Sequence, residues 1–319
     1  MFKALTLFCS VLIGSAGAVL PAMAQEFPKK QPVKIIVAVN PGGATDTVAR
    51  VTAEFLQRRL GQTVIVENKP GASGTIGADY VAKAAADGYT IFLAGSEYAA
   101  VPAVRKTPYK FDELTYLTRG FVVSPLMYGS PHFPVSSLQE LVTYMKANPG
   151  KVRYGTTGIG AIVHMGIAMI EGSAGVKGLH VPYTGIGPVF NDLLAGHIDI
   201  SEGAPPFPEG VKVLGSIGSK RNPAFPNLPT LDEIGVKNAS WDQWFGFLAP
   251  PNMPKPLADR LVTELNAVFK DPQAIAKYQA STKFSPDPEP LTGEAFKKQV
   301  QEENKKWKTV VERENITVQ

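Results

Sequence analysis

Cysteine is nearly absent: Cys9 is the only one in 319 residues. It sits inside a stretch that reads as a secretory leader, with Lys3 at the start, an apolar run from Ala4 to Leu20 and an Ala22-Met23-Ala24 cleavage box. Leu7 and Phe8 are bulky, unlike the small residues expected before a lipid-modified cysteine. Cleavage after Ala24 is therefore expected, giving an exported, periplasmic chain that starts at Gln25. That chain has no disulfide, no thiol nucleophile and no cysteine metal site. A second run of about twenty apolar residues is also missing, so nothing after the leader reads as a membrane span. Histidine is scarce, and His132, His164, His180 and His197 show no paired metal spacing. There is no G-x-S-x-G elbow and no P-loop lysine. Triads can be scattered in sequence, but the acid–base candidates form no constellation, so no catalytic residue, metal or cofactor is assigned. Charge of one sign is not in large excess either: the net charge is +4, with Lys3 in the leader. The densest basic cluster, Lys305-Lys306-Trp307-Lys308, lies beside Glu302, Glu303 and Glu312. It reads as a solvated helix face, and no nucleic-acid partner is expected.

Glycine and proline, by contrast, are plentiful and fall mainly between periodic segments, as loop punctuation. The chain after the leader is long enough for one large or two medium domains. Its organising stretch is Val33 to Leu60. Val33–Val39 is an apolar, β-branched run suited to a strand buried on both faces. Asn40, Pro41, Gly42 and Gly43 break it, and two glycines in succession let backbone approach a ligand. A helix is expected from about Thr45, with Val48, Val51, Phe55 and Leu56 on one face and Arg50, Glu54, Gln57 and Arg58 on the other. The free N–H groups at its start can hold an anion without Lys or Arg. The same pattern is equally compatible with a plain tight turn.

Thr63–Glu67 reads as a second strand, Asn68–Gly77 as a glycine-rich turn leading to a helix, and Tyr89–Ala94 as a third strand ending in the loop Gly95-Ser96-Glu97-Tyr98. Gly71, Gly74 and Gly77 lack dinucleotide-fingerprint spacing. Ligands of open α/β sheets lie outside strand carboxyl ends, so three such loops at one edge make a candidate site. A second unit begins near Val122. Ser137–Ala147 is an amphipathic helix, Val152–Tyr154 a strand, and Gly155-Thr156-Thr157-Gly158-Ile159-Gly160 a turn into a helix marked by Ile162, Met165, Met169 and Ile170. His180–Tyr183, a turn at Gly185 and Gly187, a helix over Val189–Leu194, and strands at Ile198–Ile200 and Val211–Ile217 follow. The opening device occurs twice, without a detectable sequence repeat.

The segments FPKKQPVKIIVAVNPGGATDTVAR, VIVENKPGASGTIGADYVAKAAADGYTI, NPGKVRYGTTGIGAIVHM, HVPYTGIGPVFNDLLAGHIDI, GSKRNPAFPNLPTLDEIG and WFGFLAPPNMPKP resemble, in order and over essentially the whole mature chain, the motifs of the TctC (Bug) family. These are periplasmic solute-binding proteins of tripartite tricarboxylate transporters. The resemblance implies an α/β, type II-like Venus-flytrap fold of two lobes, each a mixed sheet flanked by helices. Lobe one is expected at 26–121 plus 247–319 and lobe two at 122–246, with crossovers near Gly120-Phe121 and Gly246-Phe247. Helices around Leu257–Phe269 and Ala295–Val311 would pack back on lobe one.

It also implies a small organic acid as ligand, a mono- or dicarboxylate including aromatic acids, held largely by backbone and hydroxyl groups at helix N-termini. That role falls on Pro41, Gly42, Gly43, Ala44, Thr45 and Asp46 in lobe one. In lobe two it falls on Gly155, Thr156, Thr157, Gly158 and His164, with Ser96, Tyr183 and Gly185 lining the cleft. Asp46 serves equally well as a partner of the helix dipole, His164 as an ordinary helix histidine, and Tyr183 as a rim packing residue. The implied protein partners are permease subunits, the implied state is a monomer, and the implied role is transport. A co-sensor for a membrane signalling protein fits the same features, and a hydrolytic enzyme is a third, more distant class.

One segment departs from the pattern, and one rim residue adds a charge. After GHIDI the family has an apolar pair, an acidic residue and a short helix, whereas Ser201-Glu202-Gly203-Ala204-Pro205-Pro206-Phe207-Pro208 looks shorter and its prolines would interrupt a helix. Glu97 at the rim reads as a group that disfavours a second carboxylate, binds an amine or simply points to solvent, the last being the preferred reading.

Overall fold

The computed structural model describes residues 27–317; the expected leader and its cleavage site lie outside the described residues. Two mixed sheets carry the fold. In the first, β1 (Val33–Val37) lies between β2 (Val64–Asn68) and β3 (Thr90–Gly95), parallel to both. β4 (Thr115–Val123), β10 (Gln243–Ala249) and the two-residue β11 (Leu291–Thr292) extend it antiparallel, giving the order β11-β4-β10-β3-β1-β2. In the second, β5 (Leu126–Gly129), β6 (Arg153–Thr156), β7 (Leu179–Pro182), β8 (Ile200–Gly203) and β9 (Lys212–Ser216) take the order β7-β6-β8-β5-β9. There β6 runs parallel to β7 and β8, while β5 runs antiparallel to β8 and β9.

Helices form where the sequence shows a 3.6-residue apolar stripe, and their buried faces explain the layers. α1 (Ala44–Leu60) turns Val48, Val51, Phe55 and Leu56 into the core with β1 and stops at Gly61 in the left-handed conformation. α2 (Thr75–Ala82) and α3 (Glu97–Val104) follow β2 and β3. In lobe two, α4 (Leu138–Ala147) is capped by Ser137, whose hydroxyl accepts from Glu140 N. α5 (Ile162–Ala174) follows β6, and α6 (Ile186–Ala195) follows β7. After β10, α7 (Lys255–Phe269), α8 (Pro272–Thr282) and α9 (Gly293–Arg313) return to the first sheet. α7 and α8 pack on α1, while α9 also reaches α3 and α5, so that Trp307 stacks edge-on against Trp241 in the second lobe's core.

Phe121 and Phe245 are register partners, as are Arg119 and Gly246. The chain therefore leaves the first sheet only after Val123 and rejoins it at Gln243. A shared carboxylate ties these two crossings together: Asp242 accepts from Ser124 Oγ at 3.0 Å, from Ser219 N at 3.1 Å and from the Ser219 hydroxyl. α3 and α8 were not apparent in the sequence, and Glu97-Tyr98, expected as loop, opens α3.

Candidate functional site

Parallel strands put their carboxyl ends at one edge, so β1–β3 deliver residues 38–43, 69–74 and Ser96 together, while β6–β8 deliver 157–161, 183–185 and Ala204. The two edges meet. A Cβ built on Gly185 would lie 3.6 Å from Asn40 Nδ2. Arg105, just past α3, donates from Nη2 to Ile159 O at 3.1 Å. Ala204 packs against the first lobe's core, as Val39 and Ala44 do.

On lobe one, Pro41 and Gly42 are exposed, Gly43 and Ala44 half-buried, and Thr45 and Asp46 buried. Gly42 has φ +94°, a conformation that side chains resist, whereas Gly43 caps α1 with φ −82° and ψ 176°, which any residue adopts. The α1 N-terminus thus presents peptide N–H groups with no side-chain cap. Asp46 stabilises this turn from behind. Its Oδ2 accepts Gly42 N at 3.0 Å and Arg50 Nε at 2.8 Å, and its Oδ1 accepts Arg50 Nη2 at 3.0 Å and Asn68 Nδ2 at 2.9 Å. Burial opposes ionisation of Asp46, but Arg50, Gly42 and Asn68 outweigh it and hold the carboxyl below its usual range. Its oxygens are fully engaged inside lobe one, and Arg50 and Asn68, absent from the set read in the sequence, complete the turn.

Ser96 is likewise occupied. Its buried hydroxyl accepts Trp244 N at 2.8 Å and reaches Asp242 O at 3.4 Å, fastening α3 to the returning crossover. Glu97 departs from the expectation that it points to solvent. The side chain curls back, so that a Cβ on Gly95 would sit 2.5 Å from its carboxylate and one on Gly74 3.7 Å from its Cγ. Removal from water pushes its carboxyl up, against weaker help from the backbone of Gly95 and Glu97.

On lobe two, Gly155 and Thr156 are buried at the end of β6, and Thr157 and Gly158 are half-buried beyond it. His164, in the first turn of α5, accepts Gly160 N on Nδ1 at 3.1 Å. Tyr183 donates its hydroxyl to Asp192 at 2.6 Å, and its ring edge lies over Gly155. Burial and then the Asp192 hydrogen bond raise that hydroxyl to about 12. Its polar atom therefore serves α6 rather than the space between the lobes. Gly185 caps α6, again with no side-chain cap. The segment after β8 forms no helix: Gly203 carries φ +158°, Ala204 packs against the first lobe's core, and Phe207 returns to the second lobe against Tyr128 and Phe190. Glu202, in the middle of that departure, is fully buried with neither oxygen partnered among the described residues. The Trp241 indole N–H is also unpartnered, and a Cβ on Gly166 would lie 2.7 Å from both groups.

With this geometry in view, residues 48–316 match the model of the TctC group, the tripartite tricarboxylate transporter family receptors. The chain belongs to this family. Among solved members, the periplasmic binding protein BugD is 33% identical, with 91% of this chain and 99% of that one covered and a TM-score of 0.82. An R. palustris protein solved with adipate is 27% identical over 91% of this chain and 99% of its own, with a TM-score of 0.83. MatC from Rhodopseudomonas palustris, solved with bound malate, is 27% identical over 89% of this chain and 100% of its own, with a TM-score of 0.77. The family fold is the two-lobed periplasmic-binding architecture described above.

Proposed function

We propose that the protein is a periplasmic receptor that captures a small mono- or dicarboxylate between its lobes and presents it to a tripartite transporter permease. The carrying observation is the opposition of uncapped helix N-termini, α1 on one side and α5 and α6 on the other, across a gap narrow enough for Asn40 to approach Gly185. Each end supplies peptide N–H groups and a partial positive charge, worth about 0.3–1 kcal/mol per terminus and more when partly buried. Pro41–Thr45 and Gly155–Gly158 contain no Lys or Arg, which suits an anion held by backbone dipoles. Adipate and malate in related proteins support the ligand class. The lobes are proposed to divide at Ser124-Pro125 and near Asp242, a few residues beyond Phe121 and before Phe247.

A thermal-shift screen of small organic acids, malate, adipate and aromatic acids included, tests the reading. An acid present at a hundred times its dissociation constant adds about 2.7 kcal/mol of stability. A screen in which amines or sugars stabilise the protein and no carboxylate does would overturn it.

A further inference from the structure

The lobe-two turn has a brace behind it. Thr156 Oγ1 lies 2.6 Å from His180 Nε2 and 3.3 Å from both Gly158 N, which donates to it, and Gly158 O. The His180 ring stacks nearly parallel on two others, Tyr154 at 5.1 Å and 15° and His164 at 4.0 Å and 9°. His164 in turn receives Gly160 N–H on Nδ1 at 3.1 Å. His180 therefore supports the turn at two points, at Gly158 through Thr156 and at Gly160 through the face of His164.

We propose that His180 is a positioning residue for ligand capture, holding Thr156 in place and His164 as a neutral imidazole so that the Gly158 and Gly160 amides keep their alignment. This rests on the reading that the turn holds a carboxylate. An Nδ1 that accepts a peptide N–H carries no proton, so the His164 proton is on Nε2. A proton added at Nδ1 sets N–H against N–H and breaks the Gly160 bond. The surroundings favour neutrality. Burial, then the nearby Lys177 charge, lowers His164, and burial, then His164, lowers His180 to about 4. The groups facing the pair are Tyr154 on β6, Glu171 on α5 and Lys177 just after it. Lys177 is paired with Glu171 at 3.3 Å, and Glu314 lies beside Glu171 from the end of α9. Both histidines fall below their ordinary range, so their contribution is complete at neutral pH and disappears as pH drops from about 6.5 towards 4.

The test pairs two measurements on the full chain. Nitrogen-15 spectra of the ligand-free protein are expected to show an unprotonated His164 Nδ1 at pH 7.5. The Gly158 and Gly160 amide signals should then move together with the imidazoles on acidification. Titrations with malate and adipate, corrected for protonation of the acids themselves, are expected to hold at neutral pH and to weaken progressively as pH drops from about 6.5 towards 4. His180→Phe keeps a stacking ring but gives Thr156 no partner, so affinity drops about tenfold at pH 7.5 while the pH midpoint holds. His180→Gln keeps the partner but not the stack, so the midpoint moves upward. A protonated His164 Nδ1 at pH 7.5, or glycine amides unmoved in both variants, would overturn the brace. Should the wild type bind neither acid, the carboxylate reading fails separately, and the amide signals still decide the brace.

Discussion

Asp46 takes four donors, from Gly42, Arg50 twice and Asn68, about as many as a carboxylate can accept, so the ligand-facing work of the turn falls to peptide N–H groups. Asp46→Ala removes the carboxylate that organises the turn, though the exposed Gly42 amide and Arg50 guanidinium can turn to water. A loss of about 0.5–1.5 kcal/mol of stability is expected in denaturant titrations, with weaker acid binding alongside. Arg50→Gln is milder, because the Arg50 side chain is 52% exposed and Gly42 and Asn68 remain on the carboxylate. Its affinity should stay within a few-fold of wild type; a hundredfold loss, about 2.7 kcal/mol, would mean that Arg50 itself carries the anion. Glu202 poses the opposite case, a carboxyl with no partner. Burial alone pushes it well above the carboxylate range. A carboxyl raised in the folded state stabilises below its ordinary range and costs stability as pH rises past it. Glu202→Gln should therefore be more stable than wild type at neutral and alkaline pH. The gap should widen by at most about 1.4 kcal/mol per pH unit. Melting curves that run parallel from pH 5 to 9 would show that Glu202 has found a partner.

At the level of elements, the two glycines of the first turn, read in the sequence as a pair that lets backbone approach a ligand, divide the work between them. Only Gly42 has positive φ; Gly43 is extended with open space around it. Gly42→Ala should lower the melting temperature through strain of about 1 kcal/mol, while Gly43→Ala adds no strain and should cost only the smaller N-cap difference, about 0.5 kcal/mol. Equal losses in both would refute this assignment. Strands and helices with clean periodicity, β1 to β3 and α1, α4 and α5, were legible within a few residues because a buried face dictates the pattern, while α7 and α9 came with the family resemblance. α3 was not, since after Glu97-Tyr98 the run AAVPAV is small and apolar without a polar face and contains Pro102. The candidate turns were legible from glycine and proline, yet their supports were not. Arg50–Asp46–Asn68 joins a helix to the end of β2, and Tyr154, His164 and His180 come from three elements, so only the packed fold brings each set together.

For the whole molecule, the mouth between the lobes is bridged by Arg105 to Ile159 and by Asn40 near Gly185, whereas behind it α9 carries Trp307 into the second lobe's core against Trp241. Hinge closure captures ligand only if the closed state binds it better. X-ray scattering should show a smaller radius of gyration with a bound acid than without. Arg105→Ala should weaken binding several-fold at unchanged melting temperature. An unchanged radius in protein shown to start ligand-free and open would remove closure from the mechanism.

The central claim, capture from both lobes at once, is tested most directly by calorimetric titration of an acid that binds the wild type into Gly43→Val and Gly185→Val. These positions lie on opposite lobes, and both backbones are extended, with φ −82° and 171°, so valine adds bulk without strain. Both variants should stay folded, losing at most about 1 kcal/mol of stability to the poorer N-caps, and lose most of their affinity for the acid. Full affinity in either one would place the carboxylate on a single lobe and contradict the account.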